Sequence, residues 1–195
     1  MNNRESKKVR KTKETNVEIY VNLDTCKDPS ISTGIAFLDH MLTQLSVHGC
    51  FQLDIKATGD LEVDYHHLIE DIGILLGQCF YEATGDKKGI ARFGYSLIPM
   101  DEALAEVVVD ISGRPYLQYD VVIGTESIMN LNTDLIYEFL YAFVINAKIT
   151  AHIIKRYGKN AHHIIEAIFK ALAYSLKSAL KIESNTIKST KGLIE

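Results

Sequence analysis

The chain has 195 residues, of which 47% are hydrophobic and 24% are charged. This composition is typical of a folded globular protein and excludes a disordered or fibrous one. The longest apolar runs, such as residues 139–145, are far shorter than the roughly 20 residues that span a bilayer, which excludes a membrane protein. The three cysteines have no CxxC spacing, so the sequence predicts neither a disulfide framework nor secretion, and a cytoplasmic location fits best.

The positive charges are concentrated at the N-terminus. Residues 1–13 carry six Lys and Arg against the single acidic residue Glu5, in a chain whose net charge is −4. The rest of the chain is therefore acidic, which argues against binding to a nucleic-acid backbone. Because the basic segment has no interleaved aromatic residues, we interpret it as a solvated arm.

The first half of the chain shows four elements in order. Residues 14–24 alternate apolar and polar positions, as expected for a half-buried strand. Residues 34–49 have apolar residues at helical spacing and end at a glycine, which predicts an amphipathic helix. A strand hairpin is predicted at 50–63, with Thr58-Gly59-Asp60 as a turn signal, and a longer helix at 67–83.

The same order of elements recurs in the second half. Residues 102–112 repeat the strand pattern, which places Glu102 opposite Glu14. The first helix recurs at 135–147, the hairpin at 148–157 and the long helix at 162–181. This repetition predicts an α+β fold made by duplication of a strand-helix-strand-helix unit, with the helices on one face of antiparallel sheets.

The repeat also sets the expected domain boundaries. We predict a basic arm at 1–13, a first half at 14–98, a second half at 99–188 and a C-terminal tail at 189–195.

Both long helices open on an HHxxE motif, which is the most specific signal in the sequence. The motif residues are His66, His67 and Glu70 in the first half and His162, His163 and Glu166 in the second. Adjacent residues point about 100° apart on a helix, so one metal cannot easily take both histidines. Either each pair lies in the loop before its helix, or its members serve two different metals.

Imidazole nitrogen together with carboxylate oxygen suits Mn²⁺, Fe²⁺ or Zn²⁺, and the lack of nearby thiolates argues against a closed structural zinc site. The alternative is that these residues only cap the helices and balance their dipoles. The repeat adds one more metal-competent pair, because His40 on the first helix falls opposite Glu138.

Phosphate-binding candidates lie elsewhere in the chain. Arg92 and Arg114 follow glycine-containing turns, and the tail carries the donors Ser189 and Lys191. Planar guanidinium groups and a mobile ammonium are the groups that bind phosphomonoesters.

Seven strings in this sequence occur in the order of a known family: FLDHM at 37–41, TGD at 58–60, DYHHLIEDIG at 64–73, PMDEALA at 99–105, DISGRPY at 110–116, YGKNAHHIIEA at 157–167 and STKG at 189–192. The chain resembles imidazoleglycerol-phosphate dehydratase, a lyase of histidine biosynthesis, from about residue 10 to its end.

The resemblance implies halves of the ribosomal-protein-S5 domain-2-like kind and a homo-oligomer of 24 subunits built from trimers. It also implies two Mn²⁺ ions per active site, lying between subunits. By motif position the implied metal ligands are His40, His66, His67, Glu70, His162, His163 and Glu166. The implied phosphate ligands are Arg92, Arg114, Ser189 and Lys191, with His48 and Lys170 beside the substrate.

Two positions depart from the family pattern. Glu138 stands where the family usually has a histidine ligand, and Tyr65 stands where aspartate is common. Because carboxylate also suits Mn²⁺, we expect metal binding to persist with Glu138 in the ligand set.

The resemblance implies that water is removed from imidazoleglycerol phosphate through a metal-bound imidazolate, giving imidazoleacetol phosphate. Glu166 is our candidate for removing the carbon proton and Glu14 for shuttling a proton on the leaving side, an assignment that is open to reversal. The residues are also compatible with a metal-dependent hydrolase that uses bound hydroxide, and with a metal-storage particle that has no catalytic role.

Overall fold

The structure is a computed structural model that describes residues 4–194. The first half contains β1 (Glu5–Lys11), β2 (Thr15–Asn22), β3 (Ser30–Ser32), α1 (Ala36–Gly49), β4 (Gln52–Gly59) and α2 (His66–Thr84). The second half contains β5 (Phe93–Met100), β6 (Ala103–Asp110), β7 (Tyr116–Asp120), β8 (Ser127–Ile128), β9 (Leu131–Asn132), α3 (Asp134–Ala147), β10 (Thr150–Tyr157) and α4 (Ala161–Leu180).

The two halves have the same sheet topology. The first sheet has the strand order β1-β2-β4-β3 and the second has β5-β6-β10-β7. In each sheet the first three strands are antiparallel and the last pair, β4 with β3 or β10 with β7, is parallel. The predicted α+β fold with two similar halves is confirmed, and the short hairpin β8–β9 is an addition to the second half alone.

The central strands follow the alternation that the sequence predicted. In β2 the side chains of Val17, Ile19 and Val21 are fully buried, and the residues between them are exposed or half-buried. In β6 Val107 and Val109 take the same positions. Each such side chain contributes about 1.5–3 kcal/mol by leaving water, so these strands fix which face of each sheet meets the core.

The helices pair across the two halves. Helix α2 packs on β1 and β2, and α4 packs on β5 and β6, while α1 packs against α4 and α3 against α2. The α2–α3 contact is close because α2 carries glycines there: a Cβ on Gly77 would lie 2.5 Å from the Phe143 carbonyl oxygen. None of the helices in residues 4–194 is both long and apolar enough to cross a membrane.

Three boundary predictions were wrong. The basic segment assigned to a solvated arm forms β1, which pairs along its length with β2, while residues 1–3 lie outside the described residues. The predicted hairpins at 50–63 and 148–157 are the single strands β4 and β10. After β4 the turn signal at 58–60 leads towards α2 rather than into a second strand. Strand β5 begins at Phe93 and belongs to the second sheet, so the halves divide before residue 98.

The prediction that the chain has no disulfide was also wrong. Cys26 and Cys50, 24 residues apart, are bonded, and the bond links the loop after β2 to the C-terminal end of α1. The third cysteine, Cys79, is free and buried in α2, and burial raises the pKa of its thiol to about 11. Spacing along the sequence does not reveal which cysteines approach each other in the fold.

Candidate active site

The pairing of α1 with α4 brings three predicted ligands together. Nε2 of His40 on α1 lies 3.2 Å from Oε2 of Glu166 on α4, and Nε2 of His162 lies 3.0 Å from the same oxygen. The ligand atoms of these three residues lie within 4.8 Å of one another. Two imidazoles and one carboxylate are a donor set that Mn²⁺, Fe²⁺ or Zn²⁺ accepts, so these residues fit the expected metal.

Glu166 is held as a carboxylate by its neighbours. Its side chain is buried, and Nζ of Lys170, one helical turn further along α4, lies 2.5 Å from Oε1. Burial on its own would raise the pKa of Glu166, but the hydrogen bonds from Lys170 and His40 outweigh it and bring the pKa to about 2. An ionised carboxylate of this kind is ready to bind a cation at neutral pH.

A second group forms where β2 begins and β4 ends. Thr15 and Gly59 are paired in the sheet, which places their neighbours Glu14 and Asp60 side by side. Nδ1 of His67 lies 3.3 Å from Oδ2 of Asp60 and 3.7 Å from Oε2 of Glu14. The hydrogen bond with Asp60, followed by the charge of Glu14, raises the pKa of His67.

The structure excludes the interpretation that the histidine pairs lie in the loops before their helices. Both pairs lie on their helices, since α2 begins at His66 and α4 begins one residue before His162. The two rings of each pair are nearly perpendicular, with centroids 6.2 Å apart in both halves. The members of a pair therefore face different partners, as the 100° rotation between adjacent helical residues requires.

The other predicted ligands lie outside these two groups. Nε2 of His66 is 3.9 Å from Oε2 of Glu70, and both residues are half-buried. Nδ1 of His163 is 2.7 Å from Oε2 of Glu102. Glu138 is half-buried on α3 and belongs to neither three-residue group found in residues 4–194.

The duplication nevertheless shows which residue of the first half corresponds to Glu138. Because α3 packs on α2 as α1 packs on α4, Glu138 occupies on α3 the position that His40 occupies on α1. On α2, His66 and Glu70 are the repeat equivalents of His162 and Glu166 on α4.

The predicted phosphate ligands line one open cavity of about 600 Å³, formed by Arg92, Arg114, Ser189, Lys191 and their neighbours in the tail. The guanidinium of Arg92 donates to both carboxylate oxygens of Asp110, at 2.8 and 3.1 Å, and to the carbonyl oxygen of Lys188 at 2.8 Å. The hydrogen bond with Asp110 raises the pKa of Arg92. Positive side chains from the loops beside the second sheet and from the described part of the tail, residues 189–194, therefore converge on one concave surface.

His48 lies near the C-terminal end of α1 and faces α4. Its Nε2 is 3.1 Å from Oε1 of Gln44, and its ring contacts Tyr174 at a centroid distance of 5.6 Å. Burial, followed by the charge of Lys170, lowers the pKa of His48. The lowered pKa favours the neutral form of His48 at neutral pH, and its ring lies on the same side of α4 as Lys170.

Sequence reasoning missed two carboxylates that contact the histidine motifs, Asp60 and Glu102. Asp60 was interpreted only as part of a turn. Glu102 was noticed as the repeat equivalent of Glu14, but that alignment alone did not connect it with His163.

Comparison with known proteins shows the family of the chain. The sequence profile described as imidazoleglycerol-phosphate dehydratase matches residues 33–176. The chain belongs to this family. Relatives named imidazoleglycerol-phosphate dehydratase include that of Prochlorococcus marinus strain AS9601, 49% identical over 98% of this chain and 97% of the relative. The relative from Clostridium botulinum strain 657 is 51% identical over 97% of each chain.

Solved structures of the family share the fold. The imidazoleglycerol-phosphate dehydratase of Staphylococcus aureus superimposes with a TM-score of 0.84 at 44% identity, covering 91% of this chain and 99% of that chain. The Pyrococcus furiosus structure gives a TM-score of 0.83 at 40% identity, covering 95% and 99%. The relatives are dehydratases by name, that is, carbon–oxygen lyases, and the chain is an enzyme of this class.

Proposed function

We propose that the protein removes water from imidazoleglycerol phosphate to give imidazoleacetol phosphate, the reaction that its family's name describes. The observation that carries the proposal is the convergence of His40, His162 and Glu166 from both halves of a family member. The cavity that contains Arg92 and Arg114 supplies the second requirement, which is a place for a phosphomonoester.

We propose Mn²⁺ as the metal, with two ions per active site. The residues that would hold it are His40, His66, His67, Glu70, Glu138, His162, His163 and Glu166. When bound, the ions supply the positive charge that stabilises an anionic azole ring and so lets the ring act as an electron source.

The proton transfers are assigned to Glu14. The side chain of Glu14 is 57% exposed and has His67, at 3.7 Å, as its nearby ionic partner, whereas Glu166 is buried and engaged by three side chains. A carboxylate with a pKa of about 2 is a poor base, so Glu166 is better suited to ligation. This moves the removal of the carbon proton from Glu166 to Glu14. Glu14 takes the carbon proton and passes it to the departing hydroxyl, which leaves as water, and the resulting enol rearranges to the ketone.

The remaining polar groups bind the substrate. Arg92, Arg114, Ser189 and Lys191 hold the phosphate in this proposal. Lys170 lies beside Glu166 on α4, and His48 of α1 contacts Tyr174 one turn further along that helix; in this proposal both contact the rest of the substrate.

We further propose a cytoplasmic homo-oligomer of 24 subunits built from trimers, with the active sites between subunits and no nucleic-acid or membrane partner. Two features support association. The site histidines His40, His66 and His162 are each about 41–42% exposed in the single chain. The edge strand β5 also exposes the large side chains of Phe93 and Tyr95, at 57% and 63%.

The first experiment tests Glu14. We expect Glu14→Gln to lower turnover at least about a hundredfold, as loss of a general base does, while the Mn²⁺ content stays unchanged. Glu18→Gln is the matched control, because Glu18 lies on β2 four residues after Glu14 and pairs with Lys7 away from the site. Turnover close to that of the unmodified enzyme would remove Glu14 from the mechanism.

The second experiment tests the metal and the assembly. We expect metal analysis and mass measurement to give two Mn²⁺ per chain in a particle of 24 subunits, and chelation to abolish dehydration and loosen the particle. Measuring released phosphate alongside the dehydration product separates a dehydratase from a metal-dependent hydrolase. A chelated particle that sediments unchanged would contradict ions that bridge subunits.

A further inference from the structure

Each HHxxE motif has a carboxylate on Nδ1 of its second histidine. In the second half Oε2 of Glu102 lies 2.7 Å from Nδ1 of His163. In the first half Oδ2 of Asp60 lies 3.3 Å from Nδ1 of His67. The two carboxylates come from different places in the repeat, since Glu102 precedes a strand and Asp60 follows one.

A carboxylate at this position fixes the tautomer of the ring. It accepts a hydrogen bond from Nδ1–H, so the lone pair is left on Nε2, and it also orients the ring plane. Metal-bound histidines generally have such a partner on the nitrogen that does not ligate, because it raises the basicity of the ligating one.

Glu102 is itself held firmly. Its other oxygen, Oε1, accepts hydrogen bonds from the backbone N–H groups of Lys159 and Asn160, at 3.1 and 2.8 Å. Asn160 in turn caps α4, because its side chain accepts from the backbone N–H of His162. One carboxylate thus joins the turn before α4 to the imidazole of His163.

In the first half two carboxylates, those of Asp60 and Glu14, lie near the second histidine of the motif. Glu14 is the repeat equivalent of Glu102, yet its carboxylate is 3.7 Å from His67, and Asp60 is closer. Oγ1 of Thr12 accepts a hydrogen bond from the backbone N–H of Glu14 and so fixes its main chain. Because Asp60 takes Nδ1 of His67, the carboxylate of Glu14 stays available for proton transfer.

We propose that Glu102 and Asp60 are positioning residues, which set the tautomer of His163 and His67 so that Nε2 of each ring is the nitrogen presented to a divalent cation. The inference rests on the proposed function, because it assumes that these histidines ligate metal.

The test measures Mn²⁺ affinity rather than activity. Metal-free protein is titrated with MnCl₂, and free Mn²⁺ is followed by its electron paramagnetic resonance signal. We expect Glu102→Gln to weaken binding by about 10- to 100-fold. The Gln oxygen keeps the bonds to Lys159 and Asn160, so its NH₂ group faces Nδ1 of His163 and selects the tautomer that carries its proton on Nε2.

Asp60 provides the opposite arm of the test. Its Oδ1 has no hydrogen-bond partner among the described residues, so an amide there is free to turn its oxygen towards His67. We therefore expect Asp60→Asn to bind Mn²⁺ nearly as well as the unmodified protein and Asp60→Leu to bind it about 10- to 100-fold more weakly. Glu106→Gln is the control, because Glu106 pairs with Arg156 on the second sheet.

The outcomes separate the two proposals. Weaker binding by Glu102→Gln, at an unchanged thermal midpoint of the metal-free protein, supports positioning, since a purely structural role would move the midpoint. Equal Mn²⁺ affinity in the unmodified protein and in both Glu102→Gln and Asp60→Leu would overturn the inference and leave the proposed function intact. Absence of Mn²⁺ binding in the unmodified protein would overturn the proposed metal centre itself.

Discussion

The close contact between α2 and α3 can be tested with a single methyl group. A Cβ on Gly77 would lie 2.5 Å from the carbonyl oxygen of Phe143 and 2.8 Å from the backbone nitrogen of Ala147. Ordinary contacts between such atoms are about 3.5 Å, so α3 must move by about 1 Å to accommodate Gly77→Ala. Because the obstructing atoms belong to the backbone of a helix, a change of side-chain rotamer does not relieve the clash.

The size of the effect follows from two opposing terms. Overpacking against a rigid neighbour costs about 1–3 kcal/mol, and a backbone obstacle places Gly77→Ala near the upper end. Replacing glycine by alanine inside a helix returns about 1 kcal/mol of helix propensity. We therefore expect the free energy of unfolding to fall by about 2 kcal/mol, which lowers the thermal midpoint by about 4–8 °C for a chain of this length.

The assay is thermal and denaturant unfolding of the metal-free protein at one fixed protein concentration. Gly124→Ala is the matched control, because a Cβ there meets no atom within 4 Å and we expect a change within about 0.5 kcal/mol. A Gly77→Ala protein as stable as the unmodified one would show that the two helices are not held at the distance described, and the reasoning would fail.

Three further predictions concern single groups. Because burial raises the pKa of Cys79 to about 11, we expect iodoacetamide at pH 8 to leave it unmodified until the protein unfolds. We expect dithiothreitol to open the Cys26–Cys50 bond, in which Cys26 is exposed, and mass spectrometry after alkylation checks both. The pKa of Glu166, about 2 in the fold, lies below its ordinary value of 4.5, so its contribution to the stability of the metal-free protein is complete above pH 4.5 and lost as pH falls towards 2. Thermal midpoints measured across that range should fall less steeply for Glu166→Gln. Asp110→Asn weakens the hydrogen bonds that hold Arg92, each worth about 1.5–3 kcal/mol, and we expect KM to rise about tenfold with kcat little changed in steady-state kinetics.

The elements that the sequence predicted well are those whose buried residues are large. In β2 the alternation of Val17, Ile19 and Val21 marks the buried face directly. Strand β5 was missed because it has the opposite pattern: its buried positions are Gly94 and Ser96, and its large residues, such as Tyr95, point outwards. Helix α4 passes so close that a Cβ on Gly94 would lie within 2 Å of a backbone oxygen, so only a very small residue fits there.

Strand β1 was missed for a different reason. Its sequence, ESKKVRK, has no buried large residue, since Ser6 is its buried position and Val9 is 62% exposed. Lysine-rich sequences of this kind are common on edge strands, where charge prevents pairing with another molecule. Without the partner strand β2 in view, such a segment cannot be distinguished from a solvated arm.

The candidate site was predictable as a list of residues but not as a set of contacts. The HHxxE motifs are local, so the sequence alone predicts that His162 and Glu166 share one face of a helix. Their contact with His40 depends on α1 packing against the opposite half, and the contact of Glu102 with His163 depends on the turn before α4. Both require the tertiary arrangement.

The exchange of helices between the halves has a consequence for how the molecule can be divided. The helix that carries His40 or Glu138 comes from one repeat, and the HHxxE helix that it packs against comes from the other. A polypeptide of a single repeat would have to associate with a second copy of itself to form these helix pairs, and the two pairs would then be identical. Joining the repeats in one chain removes that constraint, which is how His40 can lie in one helix pair while Glu138 occupies the matching position of the other.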